Sequence, residues 1–458
     1  MTAVRWGTPA LGAVLITACA LRVIGLQYGL PAVYNPDEVA IMARALSFAK
    51  GTLNPENFLY PTFYFYVLFA WVGLYLGLVW ISGGVESLAA LRAMYFTAPT
   101  GIYTAGRMLG VAAGTATVLA LYRLAARIAG ERAAIASAVF LAVAPLHVRD
   151  SHYVKHDVPA TLAIVLAHIA MVRVWPAAAP SGPGRRDVLL AAAACGMAFS
   201  THYYCVFLAV PLALVVARAF AAQGARAIVN HLALAAGVSA AVFLALSPFI
   251  AVEPATAWRD IVANREIVVD RGLSAGAFTP AFRYAELLWR DALGIPVFVA
   301  GLAGALWMLV AAPGRAVLLL SFPVPFLLFI VNTAPASRYL NPVLPFLALF
   351  AGWTLARLFG GLGRAAVFWV AVAVLSAPAL VDSIRTGLFF RQDDTRTLAQ
   401  RYIESTIPPG STILVQPYSV VLTPTRESLV EALTRNLGSP ERASTKFQIQ
   451  LSLDPYPS

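Results

Sequence analysis

Long apolar runs recur along most of the chain and constrain its fold more than any other feature. Between residues 8 and 381 these runs are about 17 to 25 residues long, enough for a helix to cross roughly 30 Å of hydrocarbon. Apolar residues make up 60% of the 458 residues, more than one water-soluble core can bury. A helix satisfies its own backbone hydrogen bonds in lipid, whereas an open strand does not. The sequence therefore predicts an all-α polytopic membrane protein.

The net charge of +11 does not indicate nucleic acid binding. The arginines are spread over short loops between apolar runs, a pattern typical of the cytoplasmic side of a membrane protein. The three cysteines lie in or beside apolar runs without metal-type spacing, so we interpret them as small core residues. Nucleic acid is thus excluded as an expected partner.

The basic loops set the predicted topology. Loops that hold several arginines, such as 123–132 and 357–364, are placed in the cytoplasm. The first run contains Arg22 and is interpreted as a retained helix, with a cleaved signal peptide as the alternative. We expect about 11 crossings, an inside N-terminus and an outside C-terminus. The spans are predicted near residues 8–30, 104–124, 133–149, 158–175, 187–201, 203–220, 230–250, 292–311, 316–333, 339–357 and 365–381.

One apolar run, residues 60–82, does not fit this topology. It is long enough to cross, yet a single crossing there would place the basic 123–132 loop outside. Its many aromatic side chains suit a membrane interface. We expect a re-entrant or surface-lying helix, and a true crossing that returns through residues 84–103 is the alternative.

Two domains are predicted. Residues 1–384 form a transmembrane domain with outer loops 31–103 and 251–291, and the second loop is placed to cover a site from above. Residues 385–458 form a small extracytoplasmic α/β domain, which we expect to be incomplete because the chain stops soon after its last strand-like segment. Its predicted elements are a helix around 398–403, a turn at 408–410, a strand at 412–415, a helix at 427–437 and a strand at 447–453.

Ionisable residues at the outer ends of the spans are the strongest candidates for chemistry, because such groups are costly in a membrane. The first group is Asn35, Pro36, Asp37 and Glu38. An Asn N-cap, a Pro at the first helical position and a Glu of a capping box also describe an ordinary helix start. Both interpretations can hold, because neighbouring helix residues point in different directions. Glu38 would then cap the helix while Asp37 faces a cavity.

The second group lies in residues 147–159. Asp157, followed by Val and Pro, is either the N-cap of the next span or a residue that holds Lys155, a metal or the acceptor. His152 and His156 are four residues apart, but no zinc-protease pattern accompanies them, so hydrogen bonding to sugar or phosphate is preferred. Lys155 and Arg149 either contact phosphate or extend to the membrane interface.

The third group is the late segment from Ser337 to Pro342. Arg338 lies at the outer end of a span, against the charge bias, and a guanidinium matches phosphate oxygens well. Tyr339 is placed to stack on sugar or to sit in the headgroup region. Arg107 opens a span on the same side, and His202 with Tyr203 ends an apolar hairpin there. Contact with substrate and an interfacial position both remain open for these three residues.

The order and common side of these three groups resemble the GT-C glycosyltransferases, in particular the bacterial relatives of protein O-mannosyltransferases and of lipid A aminoarabinose transferase. The resemblance covers residues 8–381. It implies transfer of a hexosyl or pentosyl group from a polyprenyl-phosphate donor to a glycan, lipid or protein acceptor at the outer face of the bacterial plasma membrane. It also implies that Asp37 is the catalytic base. A Lys-Tyr pair is frequent in related sequences where this chain has His202 and Tyr203, which is a departure.

The candidate roles follow from this chemistry, which requires a carboxylate near the acceptor hydroxyl and cations around the phosphate. Glu38 accompanies Asp37 as an acidic candidate. The expected donor-phosphate contacts are Arg338, Tyr339, Lys155, Arg149 and Arg107, and the expected substrate or acceptor contacts are Asp157, His152, His156, His202 and Tyr203. In related oligosaccharyltransferases two acidic loops share a divalent metal, so a Mg or Mn ion between Asp37 and Asp157 is left open. In-line displacement predicts inversion at the anomeric carbon.

Two other functions are weighed against this hypothesis. A secondary transporter would also be polytopic, but it would place its charges near the midplane and show two related halves. Here the acidic residues lie at one face and no halves repeat. A noncatalytic protein of cell-envelope assembly is the second alternative.

Overall fold

The computed structural model describes residues 7–175, 184–273, 279–361, 364–416, 419–422 and 424–435. All regular elements in these ranges are helical. The first half of the chain contains α1 (Gly7–Val23), α2 (Pro36–Ser47), α3 (Phe63–Ile81), α4 (Leu88–Thr97), α5 (Thr100–Ala129), α6 (Glu131–Ala142), α7 (Pro145–Asp150), α8 (Asp157–Val174), α9 (Arg185–Thr201), α10 (Ala209–Phe220) and α11 (Ala225–Leu246). The second half contains α12 (Phe249–Val252), α13 (Pro254–Leu273), α14 (Thr279–Leu287), α15 (Ile295–Ala311), α16 (Pro313–Leu320), α17 (Pro323–Ile330), α18 (Leu344–Phe359), α19 (Ala365–Phe390), α20 (Thr395–Thr406) and α21 (Arg426–Arg435).

The polytopic all-α prediction is confirmed. Each predicted span coincides with a helix or with a helix pair broken by a short kink, such as α6 with α7 or α16 with α17. In the described ranges, eight helical stretches are long and apolar enough to cross a membrane. The count is nine if the helix pair on either side of Gly294, which is bent by 117°, forms one span. α1, α6 and α9 are shorter. The chain is therefore a multi-pass membrane protein.

α3 corresponds to the apolar run whose topology was open. It is one of the eight stretches that could cross by length and composition. Its contacts run antiparallel along the outer end of α5: Trp71 Nε1 donates to the Ala105 carbonyl at 2.8 Å, and Tyr75 packs against Gly101. α3 therefore packs antiparallel against the first turns of α5.

The break between α6 and α7 lies just before the second group of candidate residues, 147–159. Pro145 cannot donate a backbone hydrogen bond, so the last carbonyls of α6 need other donors. Arg22 of α1 supplies them, donating to Ala142 O at 3.0 Å and to Leu141 O at 3.4 Å. Ser383 of α19 donates to Val143 O at 2.8 Å. α1 and α19 thereby hold the kink from which α7 leads to Asp150.

Close helix packing supports the late segment that carries Arg338. Gly352 of α18 faces α6, and a Cβ built there would lie 2.5 Å from the Ala133 carbonyl oxygen. We expect Gly352→Ala to force the two helices apart and to destabilise the protein by about 1–3 kcal/mol. Gly237→Ala on α11 is the matched control, since no atom lies within 4 Å of its Cβ position. Thermal unfolding in detergent measures both, and equal midpoints for the two variants would contradict the packing argument.

The C-terminal segment agrees only partly with its prediction. The helix around residues 398–403 is α20, and the helix predicted at 427–437 overlaps α21. The strand predicted at 412–415 is wrong: these residues are irregular, and the described ranges contain no strand for them to pair with. The strand predicted at 447–453 lies outside the described residues. α19 continues to Phe390, past the predicted domain boundary at 384.

Candidate active site

The first acidic motif begins helix α2. Asn35 is the N-cap, and its side-chain oxygen accepts the backbone N–H of Asp37 at 3.1 Å. Pro36 takes the first helical position, as predicted. The predicted capping role of Glu38 is wrong, because its carboxylate points into the protein and bonds to other groups. Asp37, one residue earlier, points toward the outer cavity.

Glu38 and Arg107 form a buried bidentate ion pair. Arg107 Nε donates to Glu38 Oε1 at 2.9 Å and Arg107 Nη2 donates to Oε2 at 2.8 Å. Both side chains are almost fully buried. Arg107 Nη1 also donates to the carbonyls of Leu26 and Tyr28, at 2.7 and 2.8 Å. The structure thus commits Arg107 and Glu38 to each other and not to the cavity, unlike their predicted roles in phosphate contact and acid chemistry.

The Glu38 carboxylate also joins the first acidic motif to the segment of residues 147–159. Glu38 Oε1 accepts the backbone N–H of Val154 at 2.9 Å, one residue before Lys155. One side chain therefore fixes both Asp37, its chain neighbour, and the segment that carries Lys155. This bridge sets the relative position of the first and second acidic motifs.

Asp37 is shared between two cations. Lys155 Nζ lies 3.0 Å from Asp37 Oδ2, and Arg338 Nη1 lies 3.8 Å from the same oxygen. The Asp37 side chain is 40% exposed, so it remains open to the outer solvent. Partial burial raises the pKa of Asp37, but Lys155 and Arg338 outweigh this effect and the net pKa is lowered. The carboxylate is therefore ionised at neutral pH. The sequence predicted only that these three residues lie on the same side of the membrane. The structure places them in contact.

Arg338 is positioned by a hydrogen-bond network between the late segment and α7. Asn341 Nδ2 donates to Asp150 Oδ2 at 2.6 Å and to the Arg338 carbonyl at 3.1 Å. Arg149 donates to Asp150 Oδ1 at 3.1 Å and to Ser337 Oγ at 2.8 Å. The Arg338 guanidinium lies 5.1 Å from the centroid of the Tyr339 ring, a cation–π arrangement.

A cavity of about 490 Å³ lies beside this network. It is lined by four cationic side chains, and each of them lies near a carboxylate. Lys155 and Arg338 share Asp37. Arg149 lies near Asp150, and Arg283 pairs with Glu286 at 2.5 Å. The full lining is Asn35, Arg149, Asp150, Tyr153, Lys155, Arg283, Leu287, Pro335, Ala336, Ser337 and Arg338. Guanidinium and ammonium groups converging on one hollow suit a phosphate group.

Asp157 is the first residue of α8 but not its N-cap, which is His156. The predicted N-cap role is thus wrong, and so is the predicted bond to Lys155, whose ammonium pairs with Asp37. Asp157 is 5% exposed, and its Oδ1 has no hydrogen-bond partner in the described part of the chain. Arg338, Lys155 and Asp37 are close enough to interact with it electrostatically. Asp157 is therefore a buried acid near the Asp37 site.

Two of the predicted histidines belong to a buried aromatic cluster. His156 stacks on Tyr60 with 4.4 Å between ring centroids, and Tyr60 lies 5.3 Å from His202. His202 in turn stacks on Tyr204 at 3.7 Å. His156 Nε2 is buried without a hydrogen-bond partner among the described residues. Through His156, the cluster is adjacent to Asp157 in the chain.

The remaining predicted contacts have structural partners. The ring nitrogens of His152 each lie 2.9 Å from a backbone carbonyl, of Val148 and of Ile24, so this histidine links α7 to the first outer loop. Tyr203 OH donates to the Phe58 carbonyl at 2.9 Å. Neither side chain lines the cavity.

The segment of residues 251–291 contacts the first outer loop. In α13, Asp260 Oδ2 accepts the backbone N–H of Phe58 at 2.9 Å, and Asn264 Nδ2 donates to the Leu59 carbonyl at the same distance. Arg283, in α14, reaches the cavity itself. Charge in a long polar loop carries no signal of direction, so nothing in the sequence marks Arg283 as a site residue.

Other residues of the site were missed for similar reasons. Tyr60 is one of many aromatic residues in the apolar run 60–82, and only the fold stacks it on His156. Asp150 and Asn341 lie within the second and third groups of candidate residues, and the structure pairs them across 191 positions of sequence. The sequence signal for this pair was an amide, Asn341, and a carboxylate, Asp150, at the ends of two predicted spans on the same side.

The donor set does not fit a divalent metal between Asp37 and Asp157. Among the residues that the structure describes, no three His, Cys, Asp or Glu side chains come together in a metal-binding arrangement. Asp37 already faces two cations, Lys155 and Arg338, which would repel a metal ion.

A sequence comparison with protein families matches residues 101–251 to the family described as dolichyl-phosphate-mannose-protein mannosyltransferase. The matched segment is about a third of the chain and runs from α5 to α12. It contains Lys155 and Asp157 but neither Asp37 nor Arg338. No curated protein sequence matches the chain significantly.

Solved structures show the fold more completely. ArnT from Cupriavidus metallidurans, bound to undecaprenyl phosphate, superposes with a TM-score of 0.59 at 18% identity, covering 86% of this chain and 72% of ArnT. The oligosaccharyltransferase AglB from Archaeoglobus fulgidus, in complex with an inhibitory peptide and a dolichol-phosphate, gives 0.55 at 14% identity over 98% of this chain. This chain covers 60% of the archaeal enzyme's length. The polytopic helices and these superpositions together show that the chain has the fold of ArnT and of the archaeal oligosaccharyltransferase, which is the predicted GT-C fold.

Proposed function

We propose that this protein transfers a sugar from a polyprenyl-phosphate donor to an acceptor at the outer face of a bacterial plasma membrane. The observation that carries the proposal is the ionised Asp37 held 3.0 Å from Lys155 and 3.8 Å from Arg338, beside a cavity lined by four cations. The undecaprenyl phosphate in the ArnT structure is a ligand of the class that such a cavity suits.

In the proposed reaction, Asp37 accepts the proton of the acceptor hydroxyl as its oxygen attacks the anomeric carbon. The bond between that carbon and the phosphate oxygen breaks, and its electron pair leaves with the polyprenyl phosphate. Lys155 and Arg338 stabilise the charge that develops on the departing phosphate. Attack opposite to the leaving group inverts the anomeric centre.

The cations of the site perform the work that a divalent metal performs in other phosphate-transfer sites. Because the carboxylates do not form a metal-binding set, we propose that transfer proceeds without a divalent ion. A one-sided outer site on a GT-C fold also favours transfer over the alternative of a secondary transporter, whose charges would lie near the midplane.

The test is reconstitution of the purified protein in liposomes with a panel of labelled polyprenyl-phosphate sugars and an extract of envelope glycans, lipids and proteins. We expect release of polyprenyl phosphate coupled to labelling of one acceptor class, at the same rate with EDTA as with magnesium. Neither release nor labelling with any donor would contradict the proposed activity. Loss of activity in EDTA, restored by magnesium, would contradict the metal-free mechanism alone.

A further inference from the structure

The cation pair that serves the donor phosphate in the proposed function is already occupied by a carboxylate. Lys155 and Arg338 line the cavity, and both point their charged ends at Asp37 Oδ2. A phosphate that enters the cavity therefore meets cations whose charge is already compensated.

The neighbouring cations differ in this respect. Arg149 donates to Asp150 and Ser337 within a network that holds the late segment in place. Arg283 is paired with an acid at the outer surface, Glu286. Lys155 and Arg338 share one carboxylate between them, and that carboxylate is 40% exposed. An incoming anion can therefore take the place of Asp37 without breaking the hydrogen-bond network that holds the late segment.

We propose that Asp37 and a lipid phosphate compete for Lys155 and Arg338, so that Asp37 acts as a counter-ion that the donor phosphate displaces on binding. This inference deepens the proposed function and rests on it for the identity of the ligand. The chemistry that the pair recognises is a phosphate monoester or diester oxygen carrying negative charge.

Displacement has a consequence for the reaction. Lys155 and Arg338 lower the pKa of Asp37 in the unliganded protein, which makes its carboxylate a weak proton acceptor. When the phosphate takes over these cations, the pKa of Asp37 rises toward or above its ordinary value. The base then becomes stronger only when a donor is present to react.

Competition makes an unusual prediction for a residue of the active site. Removing the carboxylate by Asp37→Asn should increase the affinity for undecaprenyl phosphate by about three- to tenfold, because the phosphate no longer competes with it. Glu286→Gln is the control, since it removes an equal charge from Arg283 at the same cavity without touching Lys155 or Arg338. Its effect should be less than about twofold.

The measurement is titration of protein in nanodiscs with undecaprenyl phosphate, with undecaprenol as the uncharged lipid and inorganic phosphate as the free anion. In a Lys155→Gln and Arg338→Gln background, Asp37→Asn should add less than about twofold, because the cations it competes for are gone. Unchanged or weaker binding by Asp37→Asn, or an equal gain from Glu286→Gln, would overturn the inference. So would a gain toward undecaprenol as large as that toward undecaprenyl phosphate.

The same preparations separate this inference from the proposed function. Tighter phosphate binding by Asp37→Asn, together with a wild type that transfers no sugar, would leave the competition standing and refute the transferase. Active transfer by the wild type, with no change in affinity on Asp37→Asn, would refute the competition alone. Absence of any undecaprenyl phosphate binding to the wild type would refute both. A gain seen with inorganic phosphate but not with the lipid would identify a soluble anion as the competitor and overturn the lipid assignment.

Discussion

Asp37→Asn is expected to lower the rate of glycosyl transfer by about 10³-fold at saturating donor, with the folded structure intact. Asparagine keeps the size and shape of the side chain but cannot accept the proton of the acceptor hydroxyl, and such a base contributes roughly 10²- to 10⁴-fold. Loss of its ion pairs costs little stability, because the pair with Lys155 is partly exposed. Initial rates of labelled sugar transfer in liposomes measure the effect.

Two comparisons sharpen this result. Because Asp37→Asn is also expected to bind lipid phosphate more tightly, its defect should appear in kcat, while KM for the donor falls or stays constant. Glu286→Gln, which removes a carboxylate near the cavity outside the proposed catalytic group, should retain a rate within about threefold of the wild type. An Asp37→Asn protein that keeps more than a tenth of the wild-type kcat would show that another group accepts the proton.

The sequence was sufficient to predict that the two acidic motifs and Arg338 lie on one side of the helix bundle, and the structure brings Asp37, Lys155 and Arg338 together. Each predicted span coincides with observed helices, although α1 ends seven residues before its predicted end and α19 ends nine residues after. Side of the membrane is a property of loop composition. It requires no knowledge of how the helices pack, so a single sequence carries it.

Helix rotation and packing decided what the sequence could not. Glu38 and Arg107 are 69 positions apart, and each had a plausible solvent-facing role until the fold turned them toward each other. The strand predicted at 412–415 failed because an apolar alternation forms a strand only where a partner edge exists. Residues 412–415 have no partner strand in the described ranges. A local sequence pattern indicates which secondary structure or exposure a segment prefers. Long-range contacts decide which of the possible structures forms.

The second large effect concerns the buried pair of Glu38 and Arg107. We expect Arg107→Met to destabilise the protein by about 3–5 kcal/mol, because it leaves the Glu38 carboxylate buried without its counter-charge. The carbonyls of Leu26 and Tyr28 lose their donor as well. The measurement is thermal and denaturant unfolding in detergent, followed by intrinsic tryptophan fluorescence.

An exposed ion pair supplies the matched control. Arg385 lies 3.5 Å from Asp382 with both side chains largely exposed, so Arg385→Met should change stability only slightly. If burial of an unpaired charge is the cause, adding Glu38→Gln to Arg107→Met should recover part of the lost stability, since the double variant buries no charge at this position. A single Arg107→Met variant as stable as Arg385→Met would contradict this account.

Recovery of stability should not restore activity, and this difference separates folding from positioning. Glu38 also accepts the Val154 N–H at 2.9 Å, and through this bond it aligns Lys155 with Asp37. In the double variant a glutamine amide can still accept that bond, but it is no longer held by the guanidinium of Arg107. We therefore expect kcat to stay reduced by about tenfold after stability has partly returned, because small displacements of catalytic groups are costly. Parallel recovery of both would mean that the pair maintains the fold and does not position Asp37 and Lys155 for transfer.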